Sequence, residues 1–179
     1  MTITAKVIAH SRASGAPDLI TLEARYPRMI HSELLTHRVF SRNASSSRAI
    51  PTDKLIMSAL LDCAMPVEWH YNEPGMQGTT VMSDADADEA RMLWLEARDH
   101  AVMVARRMRG VNPHKQVINR LLEPFTHITT LITSTEWSNF FDLRCHPDAD
   151  PTMRALAEAM RDAIAASVPV ERAWHLPYI

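Results

Sequence analysis

Cysteine is scarce, with only Cys63 and Cys145 among 179 residues. Two thiols exclude a disulfide framework and a four-ligand zinc site, and they suit a reducing compartment. Glycine is rarer than proline, 4 against 11, which rules out collagen-like and flexible low-complexity chains. Neither GxGxxG nor the GxxxxGK phosphate loop is present, so a Rossmann or P-loop nucleotide site is not expected. No apolar run approaches the ~20 residues needed to span a bilayer. The opening MTITAKVIAHSRASG lacks the apolar centre of a secretion signal. These absences point to a soluble, cytoplasmic protein that does not engage membranes. Aromatic residues make up 6% and the net charge is −2, which argues against a nucleic-acid binder. The histidines form no HxH, HExxH or CxxC-type spacing, so no metal site is expected. Lysine is also scarce, with 3 residues beside 16 arginines. Either genomic base composition or a need for planar forks that grip phosphate or carboxylate produces that skew.

Hydrophobic residues at 46% and charged residues at 22% are those of a globular chain long enough for a core. We read a single domain over 1–179, with 166–179 as a tail. Residues 3–10 and 19–26 partly alternate apolar and polar positions around the turn-rich SRASGAPD, which predicts a β-hairpin. Pro27 suits the first turn of a helix running to about Ser41, with Ile30, Leu34 and His37 on one face and Glu33 a turn before His37. A short helix is expected at about 53–63, capped by Thr52, then a long connection over 64–82 of the kind that often carries function. The longest helix is expected from near Ser83 to Gly110, with an acidic start, a basic end and an inner stripe of Ala90, Trp94, Ala97, Ala101, Val104 and Met108. A helix at about 113–123, a strand over 126–135, a helical turn or two at 136–144 and a last helix at 151–166 complete the reading. An exposed Trp-His pair sits in the tail. Strands and helices are mixed without strict βαβ alternation, so the fold class is α+β, a mixed or antiparallel sheet flanked by helices.

The segment His37-Arg38-Val39-Phe40-Ser41-Arg42-Asn43-Ala44-Ser45-Ser46-Ser47-Arg48 gathers three Arg, a His, an Asn and four Ser in 12 residues. Such forks and hydroxyls suit a phosphate monoester. A polar helix end followed by a serine-rich turn has the same composition. The order of the residues separates the two readings. The pattern resembles the R-H-R-x7-S-x-R signature of the flavin-dependent thymidylate synthases, with His37, Arg38, Ser46 and Arg48 matching. A second block, NFFDLRCHPDADPTMR at 139–154, is similar to that family's N-F-x-x-L-R followed by A-Q-x-E-I-R. Asn139, Phe140, Leu143, Arg144, Ala149 and Arg154 match there, and Arg120 with Pro124 forms a weaker third block.

The resemblance covers roughly residues 28–165 and implies a specific chemistry. The family methylates dUMP to dTMP, taking a methylene from methylenetetrahydrofolate, with FAD recharged by NADPH. It implies a homotetramer with sites built between subunits. Carried over position by position, Ser46, Arg48, Arg120 and Arg154 would hold dUMP, with Arg48 on the phosphate. Arg154 would stabilise negative charge on the uracil, so Arg154 and Ser46 are the candidate catalytic residues. Glu33 stands where the family often has a Gln near the nucleotide. His37, Arg38, Asn43 and Asn139 would contact FAD. Such chemistry needs no Cys nucleophile, in keeping with two cysteines read as structural. The sequence departs from the pattern at Thr36, Asp150 and Thr152. The family's G-H-x-x-P-F-E-H segment has no counterpart, and of its V-S-R element only Arg28 remains. A complementary chain, a shorter family branch, C5 transfer on another pyrimidine nucleotide such as hydroxymethylation, and a non-catalytic nucleotide-binding homologue are all compatible with those departures.

Overall fold

The computed structural model describes residues 3–75 and 78–177. In chain order the elements are β1 (Thr4–Arg12), β2 (Leu19–Pro27), α1 (His31–Leu35), β3 (Ser41–Ala44), α2 (Thr52–Leu61), α3 (Asp84–Val111), α4 (Lys115–Ile118), β4 (His127–Ser134), α5 (Ser138–Arg144), α6 (Pro151–Ala165) and β5 (Val170–Glu171). Single-turn 3-10 helices lie at Arg28–Ile30 and Ser47–Ala49, and a longer one at Asn119–Phe125. The chain forms two compact units. One holds residues 27–29 and 45–127, and the other holds the described residues before 27, those at 30–44, and those from 128 onward.

The second of these contains the sheet, in the order β3-β4-β2-β1-β5. The expected hairpin forms, with β1 antiparallel to β2 and a register shift between Val7 and Ala9. β5 adds to β1 in parallel. β2 is central, and Leu22, Ala24 and Tyr26 on it are fully buried. α6 packs on β1, and α5 packs on α6. α6 buries Met153, Leu156, Ala157 and Met160. Met153, Leu156 and Met160, removed from water, each contribute about 1.5–3 kcal/mol before entropy is counted. The threonine-rich strand β4 buries hydroxyls that are satisfied across the sheet. Thr130 bonds Tyr26 Oη at 2.8 Å and Thr133 bonds Thr21 at 2.8 Å, so neither carries the cost of an unmade bond. The Trp-His pair divides. Trp174 is exposed, whereas His175 tucks in, its Nδ1 2.7 Å from Ser11 Oγ and its Nε2 2.8 Å from Thr21 Oγ1.

The helix expected from Pro27 to about Ser41 is cut short. α1 ends at Leu35, and the chain re-enters the sheet as β3, antiparallel to β4 from Ser41↔Thr133 to Ala44↔Thr130. Two local causes are visible. The Thr36 hydroxyl donates back to the Glu33 carbonyl at 2.7 Å, offering the backbone a non-helical partner. The Arg42 guanidinium also donates to the carbonyls of Leu34 (3.0 Å) and His37 (3.2 Å), which accept the turn bonds from the His37 and Phe40 N–H groups, and so holds the chain in that turn. Ile30, Leu34 and His37 are nonetheless all buried, as their spacing predicts.

The other unit is helical. Leu55, Ile56 and Ala59 of α2 pack with Val102 and Ala105 of α3 and with Ile118, Leu122 and Phe125. Ser83 caps α3, accepting the Asp86 N–H at 3.2 Å. Gly110 stays inside the helix; the stop comes at Asn112, whose φ of 61° is left-handed. Asn tolerates that conformation, and Pro113 prevents resumption. The inner face of α3 is rotated from the expected stripe. Ala87, Val102 and Ala105 are buried, with Trp94, Ala101 and Met108 packed beside them. Ala97 and Val104 face outward. An alanine-rich helix offers two apolar stripes, and the expected stripe straddles both. The helix expected over 113–123 is only α4, which passes into 3-10 geometry at Asn119, because Pro124 has no N–H for an α-helical bond. Thr52 does not cap α2; its hydroxyl donates to Asn119 instead. Among the described residues no helix is long and apolar enough to cross a membrane.

Candidate functional site

Each unit gathers its own set of the residues singled out above. In the helical unit, Ser46 precedes the turn Ser47–Ala49, and Arg48 projects from it; both are exposed. The turn is fastened to the Asn119–Phe125 helix by two buried side chains. Asn119 is fully buried and donates from Nδ2 to the carbonyls of Ser47 (2.8 Å) and Ile50 (2.9 Å), while its Oδ1 accepts the Thr52 hydroxyl at 2.8 Å. The buried Ser47 hydroxyl donates to the Glu123 carboxylate. Lys115 adds a bond from Nζ to the Ala49 carbonyl at 3.1 Å. The two fastened residues, Ser47 and Asn119, are the chain neighbours of Arg48 and Arg120. Arg48 and Arg120 are both exposed, and neither makes an ion pair or hydrogen bond with another described residue. A rigid backbone thus presents two uncommitted guanidinium groups. From 17 residues upstream, Arg28 donates from Nη2 to the Ser45 carbonyl at 3.2 Å.

In the sheet-containing unit the common partner is Arg144, at the end of α5. Its Nη1 donates to Glu33 Oε2 at 3.1 Å, its Nε to His37 Nε2 at 3.0 Å and its Nη2 to Thr36 Oγ1 at 3.4 Å. Because a guanidinium can only donate, His37 Nε2 must accept, and the imidazole is neutral with its proton on Nδ1. Burial, reinforced by Arg144 and Arg42, holds the His37 pKa below the usual histidine range. The ring is buried among aromatics, edge-on to Phe140 with centroids 4.8 Å apart. Glu33 is pushed the other way. Burial and the neighbouring Asp150 raise its pKa, and the opposing effect of Arg144 does not cancel them. Arg144 also lines a hollow of about 510 Å³ with Asp142, Leu143, His146, Asp148 and Ala149.

Arg38, Asn43 and Asn139 are exposed and make no side-chain hydrogen bond to another described residue. Asp150, where the resemblance sets a Gln, is the cap of α6, its Oδ1 accepting the Met153 N–H at 2.9 Å. Arg154 sits on the first turns of α6 and donates to the Pro147 carbonyl at 3.4 Å. Thr152 is buried. The thiols of Cys63 and Cys145 are free, and burial raises both above their ordinary pKa, the wrong direction for a nucleophilic thiolate. Trp69 packs edge-on against Trp94, and the Tyr71 hydroxyl donates to Asp86, so this aromatic segment is committed to holding the 64–82 connection. Sequence reasoning passed over Asn119, Glu123 and the clamping part of Arg144. A polar pair at 119–120 beside Pro124 and the Arg of the N-F-x-x-L-R block were the available signals.

Comparisons with known proteins bear on the family and the fold. The family model described as thymidylate synthase complementing protein matches residues 18–170. No curated protein matches the sequence. Among solved structures, the UMP/dUMP methylase PolB from Streptomyces cacaoi bound with 5-Br UMP is similar in fold. It has a TM-score of 0.73 at 17% identity, over 92% of this chain and 89% of that one. The same enzyme with 5-Br dUMP gives 0.69 at 20% identity, over 83% and 67%. Thymidylate synthase X from Helicobacter pylori with FAD and dUMP gives 0.55 at 14% identity, over 90% and 93%. The family model spans most of the chain and the architecture is that of these enzymes, so this protein belongs to the thymidylate synthase complementing protein family, the flavin-dependent thymidylate synthases.

Proposed function

We propose that this chain is a cytoplasmic, flavin-dependent enzyme that methylates dUMP at C5 to give dTMP, taking the methylene from methylenetetrahydrofolate and reducing equivalents from NADPH. The observation that carries the reading is the fastened Ser46–Arg48 segment. Two buried side chains fix its backbone, and the guanidinium groups of Arg48 and Arg120 have no partner among the described residues. Binding a phosphate monoester to preset forks costs little ordering.

In this reading Arg48 and Arg120 hold the 5′-phosphate and Ser46 donates to the nucleotide. Arg154 lies against the pyrimidine and stabilises the electron-rich, anionic form of the ring from which C5 attacks the methylene. No thiol is needed, in keeping with the raised pKa values of Cys63 and Cys145. The donors present fit a flavin. Arg38 offers an uncommitted cation for the diphosphate, and Asn43 and Asn139 offer uncommitted amides. When bound, reduced FAD supplies the hydride that completes the methyl group. His37 serves that site through its ring packing and its bond from Arg144, and Glu33 orients the same guanidinium near the nucleotide. The enzyme works as a homo-oligomer, with the tetramer of its family as the expected state.

UMP is the second substrate to consider, because the PolB structures are of a UMP/dUMP methylase and because Asp150 and Thr152 depart from the dUMP-family pattern. Mass spectrometry of the nucleotide after incubation with FAD, NADPH, methylenetetrahydrofolate and either dUMP or UMP tests both. A gain of one methyl group on dUMP supports the main reading, and a gain on UMP alone moves the substrate. A hydroxymethyl product would move the reaction. Calorimetric binding of dUMP with no FAD uptake and no turnover would reduce the chain to a nucleotide-binding subunit.

A further inference from the structure

Resting on the flavin-dependent reading above, we propose that the tail segment 172–177 belongs to the flavin site, with Trp174 as a platform for a flat ring of the cofactor and Arg172 as a cation for its phosphates. The segment is held on both sides. Val170 and Glu171 pair with Ser11 and Arg12. His175 bonds Ser11 through Nδ1 at 2.7 Å and Thr21 through Nε2 at 2.8 Å, and both partners are buried. Burial, reinforced by Arg172, holds the His175 pKa below the usual histidine range, so the neutral ring donates from one nitrogen and accepts at the other. Exposure then alternates as in an extended segment. His175 is turned in, whereas Trp174 is 76% exposed and Leu176 68%. A Trp on an anchored backbone loses little freedom when a ring stacks on it. Arg172 is exposed and makes no hydrogen bond or ion pair with another described residue. With Ala9, His175, Leu176 and Pro177, these two side chains line a hollow of about 530 Å³, a size typical of small-molecule pockets. An indole beside an uncommitted guanidinium suits a heteroaromatic ring that carries phosphate.

Position in the sheet identifies the ligand. Thr21, the partner of His175, also bonds Thr133, and Thr133 lies opposite Ser41 of β3. This row of hydroxyls runs from the tail across one end of the sheet. The three uncommitted side chains assigned above to FAD gather at that end. Asn43 shares a face with Ser41, two residues along β3. Arg38 lies three residues ahead of Ser41, where the chain enters β3, and Asn139 five residues beyond Ser134, where it leaves β4. β3 is two strands from β2, about 10 Å at ~4.8 Å per step, so one elongated ligand can meet both the tail and β3. The tail is this chain's own contribution to that end, because the family's G-H-x-x-P-F-E-H segment has no counterpart here.

Titration of FAD into the flavin-free full chain, followed by quenching of flavin fluorescence, tests this without any turnover. Trp174→Ala should weaken FAD binding about ten-fold, the order of one lost stacking contact, and should abolish most of the quenching. Trp174→Phe should keep most of the affinity. Arg172→Gln should weaken FAD by a similar factor and leave riboflavin, which carries no phosphate, unchanged. Both side chains are exposed, so the thermal midpoint of the unliganded protein should not move in either variant. FAD affinity and quenching unchanged in Trp174→Ala and Arg172→Gln overturn the part assigned to the tail and leave the flavin-dependent reading standing. A wild type that takes up no FAD overturns both. Variants that lose affinity for NADPH or methylenetetrahydrofolate but not for FAD overturn the assignment of this hollow to the flavin.

Discussion

Replacing Asn119 by Ala isolates the support beneath Arg48 without touching a residue assigned to ligand. The side chain is fully buried and makes three hydrogen bonds, two donated to the carbonyls of Ser47 and Ile50 and one accepted from Thr52. At about 0.5–1.5 kcal/mol each, their loss sums to about 1.5–4.5 kcal/mol, toward the upper end where buried carbonyls are left unsatisfied. We expect about 3 kcal/mol, read as a fall of about 1–2 M in the urea midpoint for a chain of this size. Thr52→Val removes only one of the bonds and should cost no more than about 1.5 kcal/mol. Nucleotide affinity, measured by calorimetry well below the unfolding midpoint, should fall in Asn119→Ala and hold in Thr52→Val. A loss of stability below about 0.5 kcal/mol, the range of an ordinary surface change, would refute the claim that Asn119 fastens the turn. Full stability loss with unchanged dUMP affinity would refute the link between that fastening and binding.

Arg48→Ala should weaken dUMP binding by about ten- to a hundred-fold, the worth of a charge-assisted fork, with the thermal midpoint of the unliganded protein unchanged. Asp150→Ala should destabilise by about 1 kcal/mol through loss of the α6 cap, and Asp150→Asn should restore most of it; equal losses in both would show that charge, not capping, matters there. His37 titrates with a pKa depressed in the folded state, so its contribution to stability is complete above its unfolded value near 6.5 and is lost as pH falls below that. Arg144→Met removes one cause of that depression, and NMR titration should then find His37 with a higher pKa and Glu33, deprived of its counter-charge, higher still than in the wild type.

The hairpin, β4 and α6 were legible because alternation, β-branched runs and a capped amphipathic stripe act locally. The end of α1 was not. It depends on Arg42 reaching back to two carbonyls and on β3 finding β4, a pairing some ninety residues away in the chain. The stripe on α3 was misplaced because periodicity reports that a face is apolar, not which of two faces meets the core. The site divides the same way. His37, Arg38, Ser46 and Arg48 stand out in one short segment, and Glu33 is correctly one turn from His37. Their shared partner Arg144 lies 107 residues from His37, and the buried ties of Asn119 to Ser47 and Ile50 span about seventy. No local pattern predicts such contacts.

The order of the sheet bears on how the protein behaves in a crowded cell. β5 covers β1 only at Ser11 and Arg12, so the outer backbone of Thr4–His10 has no strand partner among the described residues. Bare edges invite strangers to add strands. Here the invitation is blunted three ways: Lys6 stands exposed midway along, the register break between Val7 and Ala9 disrupts the ladder, and His175 ties the tail beside Ser11. The opposite edge, β3, is four residues long and carries Arg42 and Asn43. Aggregation resistance in this fold therefore depends on a few polar residues at two margins. Trimming the tail at Val168, which removes β5 and His175, should expose it as turbidity before any loss of helical signal.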